Sequence, residues 1–308
     1  MNLTILILFM VVLVLTSSTS TSSAFQPPPI RFTQLRGGAA TQSTLKVVPP
    51  RDLSALLASE GAHRCKQPLT TLLKKSLLAG IFVGLGGILC TSTLGSTIMA
   101  RHDAWHPSGV ENFLFGAIGF PLSIIAVTLT GASAFTGNLA LAGAAITNKS
   151  VTSRETARML CTTYLGCFTG TTMCGLLTVL ADLKGLEGCV GITSHKLALS
   201  GLQTFFRAIG GGFLIGLAIT FGMSALKGGS SLADIAVGIW LPISSYVACD
   251  FEHCLANMFF FSSTIFSFKK ENVNFASMAK NLLLSTAGNI AGAGGLIGLL
   301  TIQTMNLE

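Results

Sequence analysis

The chain reads as an all-α membrane protein of six transmembrane helices, the second and fifth broken, with its halves related as an inverted 3+3 repeat. Three observations predict this. The composition is 50% hydrophobic and 10% charged, with a mean hydropathy of +0.68, whereas soluble domains carry about 25% charged residues. Six apolar segments follow one another, and two of them exceed a single bilayer crossing at about 1.5 Å per residue. Short patterns also recur between the halves: Gly137-Asn138 and Ala256-Asn257 lie 119 residues apart, and Gly166-x-x-x-Gly170 returns as Gly288-x-x-x-Gly292, 122 apart. Three spans per half is an odd number, so a duplication would place the halves in opposite orientations.

Residues 1–24 read as a signal peptide, with an apolar run from Leu3 to Leu15 too short to span and a Ser/Thr-rich stretch ending at Ala24. Residues 25–66 carry Pro, Ser and Arg31, Arg36, Lys46 and Arg51, and Asp52 is the first acid in the chain. That is transit-peptide composition. The junction Ser22-Ser-Ala-Phe25-Gln-Pro resembles bipartite plastid leaders of diatom-type algae. It implies a plastid envelope membrane, with the plasma membrane or another secretory-pathway membrane as the alternative.

The transmembrane domain is expected over residues 67–308. Its first segment runs from Ser76 to about Met99, after Lys74-Lys75 at the interface. The second, Val110 to Thr147, is interrupted by Gly131-Ala-Ser-Ala-Phe-Thr-Gly137-Asn138. The third and fourth are Thr156–Leu180 and Phe205–Leu226. The fifth, Ile235–Phe268, is broken around Cys249–His253, and the sixth is Phe275–Ile302. Unwound backbone at membrane depth is tolerated only where it is buried in protein or lines a cavity, so both breaks are expected to face one shared path.

The fifth break holds Asp250, Glu252 and His253. A charge at the centre of a membrane helix costs roughly 2.5–3.5 kcal/mol on insertion scales, so these residues are expected to face a polar path with His253 at its chemical centre. A histidine on its own would be read as a packed side chain satisfied by a carbonyl; the adjacent helix break favours a functional one. Glycines at three- or four-residue spacing (Gly80, Gly84 and Gly87; Gly166 and Gly170; Gly288 and Gly292) are expected to pack helices closely. The eight cysteines form no CxxC pair, so they read as buried free thiols, with no metal or cofactor implied. The net charge of +7 comes mostly from the leader and segment ends, which suits lipid headgroups; no basic stripe or nucleic-acid motif is present.

Phe251-Glu-His-Cys-Leu-Ala-Asn-Met258 resembles the Phe-Glu-His-Ser-x-Ala-Asn-Met break of the formate/nitrite transporter family. Phe120-Pro121 and Gly131–Asn138 resemble its second-helix break; Lys196, Arg207 and the run to Ala218, and Asn281-Leu with Gly288-Asn289, resemble its fourth and sixth helices. The resemblance implies an aquaporin-like protomer, assembled as a homopentamer with one pore per subunit, that carries small monovalent weak-acid anions. By position it implies one constriction at Phe120 and Tyr246 and another at Ile124, Ala134 and Phe135. His253 and Thr136 fall between them as proton-transfer and substrate-binding residues, and Lys196 attracts anions at an entrance. Glu252, Asn138, Asn257 and Asn289 are supporting residues.

The sequence departs from the family pattern at Ser133 (usually acidic), at Ala134 (usually a bulky Leu), at Gly212 and Gly216, where a polar pore contact is expected to be missing, and at Asp250 (usually Gly). Asp250 is expected to be neutral or satisfied locally. In the implied mechanism His253 lends a proton to the anion, the neutral acid crosses the apolar constrictions, and His253 regains a proton from the acidic side. Nitrite is favoured because a plastid address suits nitrite reduction, and formate comes second. A neutral-solute channel of aquaporin type is the alternative, although the paired Asn-Pro-Ala boxes are absent. An intramembrane enzyme would need an orienting group and oxyanion site that no motif here supplies, so no enzymatic activity is expected.

Overall fold

The computed structural model describes residues 48–95, 109–267 and 274–307, all within the unit Val47–Glu308. The signal peptide over 1–24, the leader segment as far as residue 47 and the end of the first span after residue 95 lie outside the described residues.

Every regular element among the described residues is helical. The chain runs α1 (Pro50–Lys66), α2 (Leu69–Cys90, continued by a π turn, Thr91–Gly95), α3 (Gly109–Ala117), α4 (Phe120–Thr130), α5 (Phe135–Thr147), α6 (Ser153–Leu180), α7 (Leu186–Ala198), α8 (Gly201–Gly228), α9 (Leu232–Ala248), α10 (Cys254–Phe266) and α11 (Phe275–Asn289). A π-helical stretch, Ile290–Thr301, and a last turn, α12 (Ile302–Met305), follow.

The starts of the long helices are written locally. Thr152 with Glu155, Ser200 with Gln203 and Ser231 with Asp234 each form a capping box, in which the hydroxyl takes one orphan N–H and the longer side chain takes another. Five stretches are long and apolar enough to cross a membrane: Leu69–Thr93, Phe113–Thr130, Ser153–Leu180, Gly201–Gly228 and Phe275–Met305. The fifth expected segment is divided into α9 and α10, of 17 and 13 residues, each short of a full span.

Three findings differ from the sequence-based expectation. Residues Pro50–Lys66, assigned above to the leader segment 25–66, form α1, which buries Leu53, Leu57 and Ala58. Arg64 bonds into the first break and Ser54 donates to Asn306 Oδ1 at 2.7 Å; the polar face suggested a linker because these partners lie far along the chain. The second segment also bends before its expected break, at Gly119. A φ of 115° and an approach to Gly86 and Cys90 too close for a Cβ require glycine there. The sixth segment is π-helical over Ile290–Thr301, in the Gly-rich half of the span.

The small residues set the helix pairs. Gly166 and Gly170 lie against Ser76, Leu77 and Gly80, joining α6 to α2; Gly288 and Gly292 lie against Ala208 and Ile209, joining α11 to α8. Beyond these pairs, α2 packs on α4 and α8 on α9, while α10 packs on α6 and α5 on the π-helical end of the last segment. Of the cysteines, Cys65, Cys90, Cys167, Cys174, Cys189 and Cys254 are buried free thiols, while Cys161 and Cys249 are exposed.

Candidate functional site

Two half-helices begin at one place. α4 stops at Gly131, whose left-handed φ of 68° suits glycine, and α5 starts again at Phe135. α9 stops at Cys249, Asp250 takes a left-handed φ of 53°, and His253 is the extended N-cap of α10, with φ −135° and ψ 118°. There His253 Nε2 lies 3.0 Å from Thr136 Oγ1, both side chains buried. One contact therefore ties the two breaks together. The orphan N–H groups and positive dipole ends of α5 and α10 accompany it.

Buried amides hold the breaks in shape. Asn257 Nδ2 donates to Glu252 Oε2 at 2.7 Å and to Asn281 Oδ1 at 2.8 Å. Asn289 Nδ2 donates to Ala208 O at 2.8 Å and Glu252 O at 3.0 Å, and its Oδ1 accepts the Cys254 N–H at 2.9 Å. In the first break Asn138 Nδ2 donates to Ser133 Oγ at 2.9 Å, and Arg64 Nη1 donates to Asn138 Oδ1 at 2.9 Å. Satisfaction of this kind is what allows polar backbone at membrane depth. Sequence reasoning missed Arg64 and the bridging role of Asn281; the Asn281-Leu match was the only signal for the latter.

Two of the residues expected at a constriction, Phe120 and Tyr246, meet. Phe120 and Tyr246 stack with ring centroids 6.3 Å apart, and the Tyr246 ring stands edge-on to His253 at 5.8 Å. Together with His253 they line two small cavities. One, about 40 Å³, also reaches His195, Lys196 and Asp250. The other, about 10 Å³, is walled by Val83, Ile124, Ile215 and Ile243. Ala134 and Phe135 are buried beside Thr136 and line neither cavity; the Phe135 ring packs on Tyr164 at 5.0 Å.

Lys196 does reach the larger cavity, but its ammonium is engaged. Its Nζ donates to Glu252 Oε1 at 2.5 Å, and Glu252 is fully buried. The two carboxylate oxygens of Glu252 thus bond Lys196, Asn257 and Asn281. Gly212 and Gly216 of α8 pack against Asn289 and Ile297 of the last segment, at helix-packing distance. Asp250 is satisfied locally, as anticipated: Arg207 Nη1 donates to its carboxylate, and His195 Nε2 lies 3.1 Å from Oδ2.

A family model described as formate/nitrite transporter matches residues 52–302. The chain is 30% identical over 264 residues to a probable formate transporter of Methanothermobacter thermautotrophicus, with 79% of this chain and 92% of that protein covered. It is 28% identical over 277 residues to the formate channel FocA of Escherichia coli strain K12, with 81% and 92% covered. Among solved structures, a pentameric formate channel with formate bound matches with a TM-score of 0.61 at 25% identity, over 78% of this chain and 99% of that one.

Proposed function

The chain belongs to the formate/nitrite transporter family, and from that premise we propose that it conducts small monovalent weak-acid anions, nitrite first and formate second, with His253 lending the proton. The observation that carries the reading is the 3.0 Å contact of His253 Nε2 with Thr136 Oγ1 where the two breaks meet, beside two cavities that His253 lines together with Phe120 and Tyr246.

An intact anion faces a largely apolar wall at the Phe120–Tyr246 pair and the smaller cavity, and stripping a charge of water costs several kcal/mol. A protonated imidazole at His253 gives its Nε2 proton to the anion oxygen. The products are a neutral acid, which crosses Phe120 and Ile124 cheaply, and a neutral imidazole, which takes its next proton from the more acidic side. Thr136 orients the imidazole and bonds the acid; the dipoles of α5 and α10 favour the arriving anion. Glu252, Asn138, Asn257 and Asn289 keep the half-helices in place.

The paired contacts of α2 with α6 and α8 with α11 support six spans in an inverted 3+3 repeat with an aquaporin-like protomer. The pentamer seen in the formate channel supports a homopentamer here. Residues 1–24 as a signal peptide and the following segment, ending before Pro50, as a transit peptide would deliver the protein to the plastid envelope, where nitrite supply is the suited task.

The test is uptake of nitrite, formate and glycerol into proteoliposomes over about pH 5 to 8, wild type beside His253→Asn. Faster anion uptake with an inward proton gradient, lost in the variant, is expected. Glycerol passage without anion passage would establish a neutral-solute channel instead, and equal anion passage through both proteins would make His253 structural.

A further inference from the structure

The larger cavity has a charge balance of its own. Of the charged residues at its wall, Lys196 is paired with Glu252 behind it and Asp250 with Arg207 behind it, so each lining charge is cancelled by its partner. The residue expected to draw anions in, Lys196, is buried and neutralised at 2.5 Å. One further group on the same wall changes the sum: His195, which lines this cavity with His253 and lies 3.1 Å from Asp250. Histidine is the side chain whose charge changes between about pH 5 and 8.

We propose that protonated His195 is the anion-docking residue of this vestibule, positioned by Asp250 and Arg207. The inference rests on the anion-path reading above and adds a second anion-binding residue, outside the constriction. The geometry holds the trio in place. Asp250 sits in the left-handed turn that ends α9, its backbone carbonyl accepts from Arg207 at 3.3 Å, and Arg207 O accepts the Glu252 N–H at 3.2 Å. The side chains of His195, Asp250 and Arg207 are 21%, 32% and 31% exposed, enough to meet a hydrated anion. Among the described residues, the other charged or titratable groups on the elements packed around His195 are Glu187, Cys189 and Lys196 on α7 itself, Tyr246 on α9, Glu252 and His253 at the fifth break, Cys254 on α10 and Lys280 on α11. With His195 neutral the paired set gives the vestibule no net charge. With it protonated the vestibule carries one positive charge, which suits a monovalent carboxylate or nitrite.

The experiment measures the KM and maximal rate of formate uptake in proteoliposomes at equal pH on both sides, over about pH 5 to 8. Wild type is expected to show a KM that falls as pH falls. His195→Gln is expected to lose that trend and to have a KM about fivefold higher at the acidic end, the size of one unit charge at contact distance in water, while the pH dependence of the maximal rate, set at His253, persists. His195→Arg restores a low KM across the range. Asp250→Asn, which leaves Arg207 uncompensated, lowers the KM at the neutral end. Wild-type KM profiles in all three variants, with anion flux intact, would overturn the docking role and leave the proposed function standing. No anion flux in the wild type would overturn both, through the proposed function.

Discussion

At the scale of single residues, Glu252 carries the heaviest structural demand, because it is fully buried and holds an ammonium and two amides. Removing one partner of a buried pair costs about 3–5 kcal/mol, whereas replacing both with apolar groups is often nearly neutral. Glu252→Gln is therefore expected to lower the melting temperature in detergent sharply, and Glu252→Gln with Lys196→Met to recover much of the loss; equal melting of the single variant and wild type would contradict this. Outside the spans, Glu60 offers a pH test. Burial raises its carboxyl, but the Arg64 charge and hydrogen bond, with His63 and Lys227 further off, outweigh burial and hold it below the usual range. A depressed folded value contributes stability that is present above the ordinary carboxylate range and lost as pH falls through the lowered value. Glu60→Gln is thus expected to destabilise modestly at neutral pH and not in acid, as read by melting at the two pH values. His253 and Thr136 were legible because a local motif marks a helix break. Arg64 was not, since its partner Asn138 is 74 residues away and nothing local distinguishes it from a linker arginine.

At the scale of elements, the two halves use the same positions with different chemistry. Asn138 donates to Ser133 five residues before it, and Asn257 donates to Glu252 five residues before it. On the third and sixth segments, Cys167 Sγ lies 3.8 Å from Ser133 O, and Asn289 Nδ2 donates to Glu252 O at 3.0 Å. The recurrences at 119 and 122 residues made this pairing readable. Its chemistry was not readable, because Ser for Glu and Cys for Asn conserve only position. The second half is accordingly the polar, strongly bonded one. Asn289→Ala leaves the Cys254 N–H and the Glu252 and Ala208 carbonyls without their partner, at about 1–3 kcal/mol for each buried group left unsatisfied. Cys167→Ala removes only a weak thiol donor. Melting is expected to fall several degrees for the first and little for the second, and formate flux to fail with the first alone. Comparable losses in both would mean that the halves share the load equally.

At the scale of the whole molecule, the chain exposes a broad apolar surface, including Leu165, Phe168, Leu177, Phe206, Phe221, Leu241 and Leu283, which must meet lipid or sister subunits. Yet His253, Thr136, Phe120, Tyr246, Ile124 and the paired charges all come from one chain, and both cavities are lined within it. We therefore predict that the transport path is a property of each subunit and that assembly serves anchoring and packing. The prediction is a mass of five protomers in native mass measurements, combined with independent conduction. Reconstituting wild type mixed with His253→Asn in varied ratio is expected to give proton-driven nitrite flux proportional to the wild-type fraction. A path shared among subunits would instead lose flux far faster than the fraction of wild type falls, because most mixed assemblies would contain at least one variant. Linear dependence together with the fivefold mass therefore separates five private paths from one common path.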